Sequence, residues 1–176
     1  MFSLILRFGL IAGVIVVTPM FILWSQVKAG DPHPPGGMLT TYLTMLVALT
    51  MVFVGIKQYR DKLRGGVVKF FPAFGVGLAI SAVASVMYAA SWEIVTAMNH
   101  FDFTAWWSKE IVKQAAAAGK SSAETAAEVQ AFVAMYGNPW KRVPLVFMEM
   151  FPVGILVSAI AAGVLRNSRI LPARAT

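Results

Sequence analysis

The chain contains no cysteine, only two histidines, and eight acidic residues against 15 basic ones. Without thiols there are no disulfides, no thiolate nucleophile, no iron–sulfur cluster and no cysteine-ligated zinc, and there is no clue to redox compartment. With charged residues at 13%, the sequence falls well short of the roughly one quarter usual for a soluble domain. No HExxH pair occurs, and Gly65 and Gly66 are not followed by the GKS or GKT ending of a phosphate-binding loop. The two glycines read as a hinge.

Residues of the hydrophobic class fill the gap, at 58% of 176 residues, and a water-soluble core of this size has no room for that much apolar surface. A helix rising about 1.5 Å per residue needs about 20 apolar residues to cross a bilayer, and its backbone groups must be satisfied internally. Four segments qualify, at about 4–24, 38–56, 70–96 and 143–165. The fold class expected is therefore an all-α membrane protein. Four transmembrane helices form a bundle in one integral domain over 1–176, with an outer amphipathic helical loop at about 100–142 between helices three and four. Gly30 to Gly37, rich in Gly and Pro, separates the first two spans. The first span reads as a retained helix: the apolar run Phe8 to Trp24 is longer than a signal-peptide core and no A-x-A-like site follows.

Lysine and arginine set the orientation. Arg7, the connection from Lys57 to Lys69 and the tail through Arg174 together carry nine basic residues and one acid, a net +8, while the opposite side carries a net −1, which accounts for the overall +7. Both termini are expected in the cytoplasm of a bacterial cell, with the protein in its inner membrane and the long loop outside. The lipid bilayer is the expected partner, alongside a membrane-protein partner or a second copy of the chain. No aromatic–basic module accompanies the positive charge, so nucleic acid is not a partner.

In the long loop, Phe101, Phe103, Trp106, Trp107, Ile111 and Val112 alternate with polar residues, as in a segment lying at headgroup level. Ser121 with Glu124 three residues on is a capping-box spacing, and the helix it opens is expected to stop at Gly137 with Pro139 beyond. A two-helix cap over the outer mouth is the natural reading; a solvated linker with local helicity is the alternative, since helices this short are marginal alone.

Several ordered strings resemble a known family. YLTMLVALTMVFVGIKQYRD from Tyr42 to Asp61, GGVVKFFPAFGVGLAISAVASVMYAASWEI from Gly65 to Ile94, the Tyr136–Gly137–Asn138–Pro139 turn and MEMFPVGILVSAIAAGVLR from Met148 to Arg166 are similar to the bacterial membrane family catalogued as domain of unknown function 4199. The resemblance implies a four-helix inner-membrane protein. It supplies no activity and no catalytic residues.

Ionisable residues in the spans are costly, at about 2.5–3.5 kcal/mol each on insertion scales, and so are the candidate site. Glu149 lies inside the fourth span and Glu93 near the outer end of the third, with Tyr88, Tyr42 and several threonines at similar depth. In the functional reading, the two carboxylates share a proton or a hard cation. In the structural one, which is the default, Glu149 bonds a hydroxyl or Arg142 and Glu93 reaches the interface beside Trp92. Arg60 and Asp61 form a cytoplasmic-loop pair that either fixes the loop or clamps an anion, the default being a solvated positive-inside turn. His33 and His100 have no ligand-like spacing to Asp31 or Asp102, so neither a metal site nor a cofactor is expected. Gly9 with Gly13, and Gly154 with Ser158 and Ala162, are small-residue stripes expected to pack within the monomer. No nucleophile–base set is visible, which makes a non-enzymatic structural or accessory membrane subunit the leading expectation and a small transporter or proton/cation-coupled module the alternative. If Glu149 and Glu93 act as a pair, Glu149→Gln and Glu93→Gln will each abolish a pH-dependent activity and leave the fold intact; two variants that only lose thermal stability sink that reading.

Overall fold

Long runs of Leu, Ile, Val, Ala and Met, unbroken by turn residues, leave helix as the only way to satisfy the backbone in an apolar solvent. The computed structural model, which describes residues 1–25, 37–98 and 102–172, is helical throughout and has no strand among those residues. The helices are α1 (Phe2–Trp24), α2 (Gly37–Gln58), α3 (Phe70–Met98), α4 (Phe103–Ala117), α5 (Ser122–Tyr136) and α6 (Pro139–Leu165), with a π-helical turn, Tyr59–Leu63, extending α2. Four of them, α1, α2 with its extension, α3 and α6, are long and apolar enough to cross a membrane. The Gly/Pro-rich connection after α1, with Asp31 and His33, lies outside the described residues, as do His100, Phe101 and Arg174.

Two boundaries differ from the sequence reading. α6 begins at Pro139 rather than near residue 143, because Asn138 caps it, its side chain accepting from the Trp140 N–H at 3.0 Å, and proline suits the first helical position. Gly137 accordingly ends α5 in a right-handed conformation (φ −67°) and not in the left-handed one usual for a stop glycine. α2 runs past residue 56 through the π-helical turn to Leu63.

Small residues stand among the buried positions: Ala12, Ala48, Ala84 and Ala162 are buried along with Ser81 and Ser158, beside larger side chains such as Leu49, Ile80 and Met150, while Leu10, Leu43, Val47, Leu156 and Ile160 face outward. Lipid is as apolar as leucine, so burying large side chains gains little there and close backbone approach gains more. α3 is the central element and packs on α1, α2 and α6. A Cβ placed on Gly154 would lie 2.6 Å from Ser81 Cβ, and one on Gly77 2.7 Å from Ser158 Oγ, so each helix offers a glycine to the other's serine. The serine hydroxyls meet across the seam at 3.4 Å. Gly9 approaches Val83 of α3 in the same way, at 2.6 Å, and Gly13 abuts Met87. Both stripes thus serve contacts within the chain.

Arg60 corrects the solvated-turn expectation. Its side chain is 0% exposed, since the π-helical turn brings Tyr59 and Arg60 together to the buried side. Nε donates to Asp61 Oδ1 at 2.7 Å, and Nη1 donates to the carbonyls of Ile170 at 2.9 Å and Leu165 at 3.4 Å. Nη2 donates to the Leu171 carbonyl, and Lys57 adds a 2.6 Å bond to Asp61 Oδ2. The guanidinium therefore caps the end of α6 and pins the tail beyond it, satisfying carbonyls that the helix leaves open.

Glycine at the α3–α6 seam is expected to be irreplaceable. Gly154→Ala should cost about 1–3 kcal/mol through overlap with Ser81, whereas Gly163→Ala, with nothing within 4 Å of the added carbon, should be neutral or stabilising by up to about 1 kcal/mol. Thermal unfolding in detergent micelles compares the two; equal melting temperatures would mean that the seam tolerates a wider separation.

Candidate functional site

One end of the bundle and the α4–α5 cap border a chamber of about 700 Å³. Val16 and Met20 of α1, Met45 of α2 and Tyr88 of α3 line it on one side, and Phe103, Trp106 and Trp107 of α4 with Phe132 and Tyr136 of α5 on the other. Thr40, Thr41, Tyr42 and Thr44 contribute the polar part of α2, and Glu149 that of α6. The sequence places these residues far apart. They converge because α4 and α5 fold back over the ends of the long helices.

Phe103 anchors the fold-back. Asp102 caps α4, accepting from the Ala105 N–H at 2.9 Å, which fixes the first turn and directs Phe103 inward. Its ring lies 5.3 Å from that of Trp92 and 5.1 Å from that of Tyr136, and stacks on Trp107 at 6.1 Å. Trp24 meets Trp92 edge-on at 5.0 Å, tying α1 into the same cluster. Trp92 Nε1 donates to the Tyr136 hydroxyl at 2.6 Å. Burial first, then the Glu149 charge, raises the Tyr136 phenol above its ordinary value. A raised acid of this kind favours the protonated folded state, so its contribution to stability is complete at neutral pH and falls away only in strong alkali.

The capping box at Ser121 and Glu124 is present, with Ser121 N donating to Glu124 Oε2 at 2.9 Å and Glu124 N to Ser121 Oγ at 3.3 Å. The hydroxyl and backbone bonds from Ser121 hold the Glu124 carboxyl below its usual value. The two-helix cap is thus built from local signals at its helix starts and from aromatic contacts at its base. Trp106 and Trp107 line the chamber. Trp140, at 89% exposure, points outward.

Glu93 and Glu149 have separate partners. Arg142 donates to Glu93 through Nε, at 2.7 Å to Oε1, and through Nη2 to Oε2, a two-pronged ion pair between α3 and α6. Arg142 Nη1 also donates to the Tyr136 carbonyl at 3.1 Å, joining the end of α5 to the pair. Glu149 instead accepts from the Tyr88 hydroxyl at 3.2 Å. Tyr88, Tyr42 and Glu149 line the chamber, and Glu93 does not. Arg60 and Asp61 stand on another element, in the tail clamp described above. Sequence inspection offered Arg142 to Glu149 and missed it as the partner of Glu93, 49 residues away along the chain; no periodicity signals a contact of that separation. The chamber aromatics did carry a signal, in the density of rings from Phe101 to Trp107, but it was equally that of an interfacial segment. Among the described residues no group of three His, Asp or Glu side chains is placed to hold a metal ion.

The Glu93–Arg142–Tyr136 connection should hold the cap down. Arg142→Gln is expected to cost about 1.5–3 kcal/mol, the range for hydrogen bonds to charged groups, reduced by the partial exposure of both side chains. Hydrogen–deuterium exchange should then speed up over Ser122–Tyr136 and stay unchanged in the middle of α3. Uniform protection in the variant would assign the hold on the cap to the aromatic cluster alone.

A family model described as Protein of unknown function (DUF4199) matches residues 7–167. Neither a curated protein nor a solved structure matches the chain.

Proposed function

The chain belongs to the DUF4199 family, and from that membership and the capped chamber we propose that it is a non-enzymatic, multi-pass protein of the bacterial inner membrane whose work is binding, as a structural or accessory subunit. The chamber carries this reading. Its volume of about 700 Å³ lies within the roughly 300–1,000 Å³ typical of small-molecule sites. Its walls are mainly apolar and aromatic, with a few convergent hydroxyls and one carboxylate. That composition suits recognition, and among the described residues of its wall there is no aligned nucleophile and base of the kind covalent catalysis uses.

The orientation proposed has both termini and the Arg60 clamp in the cytoplasm, and the cap with its chamber on the outer side. The support is the charge count, which concentrates lysine and arginine at the clamp end. A membrane-protein partner or a second copy of the chain would meet the outward apolar faces of the long helices. The alternative, a small transporter or proton/cation-coupled module, rests on Glu149 at the chamber and on Pro152 three residues later, which removes one backbone donor from α6 beside it. Glu93 contributes to such a module only if Arg142 releases it.

Because the chain has no cysteine, single thiols report cleanly on orientation. A membrane-impermeant maleimide added to intact spheroplasts should label Ala123→Cys, and should label Arg64→Cys only after lysis; the reverse pattern refutes the orientation. In proteoliposomes the binding reading expects no proton or cation flux, while flux that disappears in Glu149→Gln would establish the transporter instead.

A further inference from the structure

We propose that the chamber takes a lipophilic organic cation, balanced by Glu149 and bordered by aromatic side chains. This rests on the binding reading above and names its ligand class. Seven acidic residues fall within the described part of the chain, and six have an evident role. Asp61, Glu93, Glu110 and Glu128 are paired with Lys or Arg. Asp102 and Glu124 cap helices. Glu149 does neither.

Its hydrogen bond from the Tyr88 hydroxyl brings no counter-charge and, at 3.2 Å, is long for an O–H···O bond. Among the described residues no Lys, Arg or His lines the chamber, and Arg142, which the sequence also offered as a partner, is occupied by Glu93. A carboxyl so placed keeps its charge only beside a counter-charge, which a cationic ligand would supply.

The rest of the wall decides what kind of cation. A hard metal ion takes six or more oxygen ligands or keeps its waters, and one carboxylate with a few weakly coordinating hydroxyls, set among indole and phenyl rings, falls short of that set. The rings of Trp92, Phe103, Trp106, Trp107 and Tyr88 in the wall suit a bulky, weakly hydrated charge such as a quaternary ammonium or phosphonium, which aromatic quadrupoles attract. An acyl chain would fill the same volume but leave the carboxylate unbalanced. An organic anion would be repelled by it.

Two ions of the same shape and opposite charge test this: tetraphenylphosphonium and tetraphenylborate, titrated against the full chain in phosphatidylcholine nanodiscs, with empty nanodiscs subtracted for lipid partition. The phosphonium should bind saturably, one per chain, at least tenfold more tightly than the borate. Glu149→Gln should lower phosphonium affinity at least tenfold and erase the preference, while Glu128→Gln, in the exposed pair with Lys120, should keep it. Equal affinity of the unmodified chain for both ions would overturn the cation proposal and leave the binding chamber standing. Saturable binding of neither would overturn both. The comparison of the two ions on the unmodified chain decides the matter even if Glu149→Gln fails to fold.

Discussion

The close approach of α3 to α6 is the contact on which the remaining geometry depends. Gly77 faces Ser158 and Gly154 faces Ser81, so the two backbones come nearer than any pair of larger residues would permit. In an apolar solvent this closeness substitutes for the hydrophobic effect, supplying dispersion contacts and a hydroxyl pair where burying leucine would gain little. α1 repeats the device on the other flank of α3 through Gly9 and Gly13. Once α3 is fixed between α1 and α6, the positions of Tyr88, Trp92 and Glu93 relative to Glu149 and Arg142 follow from helical rise and rotation.

Charge is handled differently at the two ends of this framework. At one end a fully buried guanidinium is surrounded by Asp61 and by carbonyls from α6 and the tail, so its hydrogen-bonding capacity is used to close the structure. At the other, the ion pair of Glu93 and Arg142 joins α3, α5 and α6 near the base of the cap. Both arrangements neutralise charge by pairing, as buried charge requires. Glu149 stands apart because its partner is a hydroxyl, and because it faces a chamber rather than a packed seam. That contrast separates a side chain that maintains the fold from one available to a ligand.

Much of the fold was legible in order along the chain. Span lengths, the capping box at Ser121, the Ala-rich stretch of α4 and the small-residue stripes are all signals within a few turns of one helix, and local physics suffices to read them. The early start of α6 was equally local, in Asn138 followed by Pro139, but the apolar run that begins later obscured it. The candidate site was less legible. Glu149 and Tyr88 are conspicuous as polar residues in apolar segments, yet a sequence states neither which face of a helix they occupy nor which neighbour reaches them.

The sequence by itself determined that the chain is helical, that four helices are long and apolar enough to span a bilayer, where positive charge concentrates, and where the cap helices begin. Each of these follows from composition or from spacing within one element. Only the tertiary structure decided that Arg142 belongs to Glu93, that Arg60 is buried on the tail carbonyls, and that the aromatics of α4 enclose a chamber around Glu149. Those outcomes depend on the rotation and proximity of helices distant in sequence, which close packing of small residues sets and no local pattern encodes.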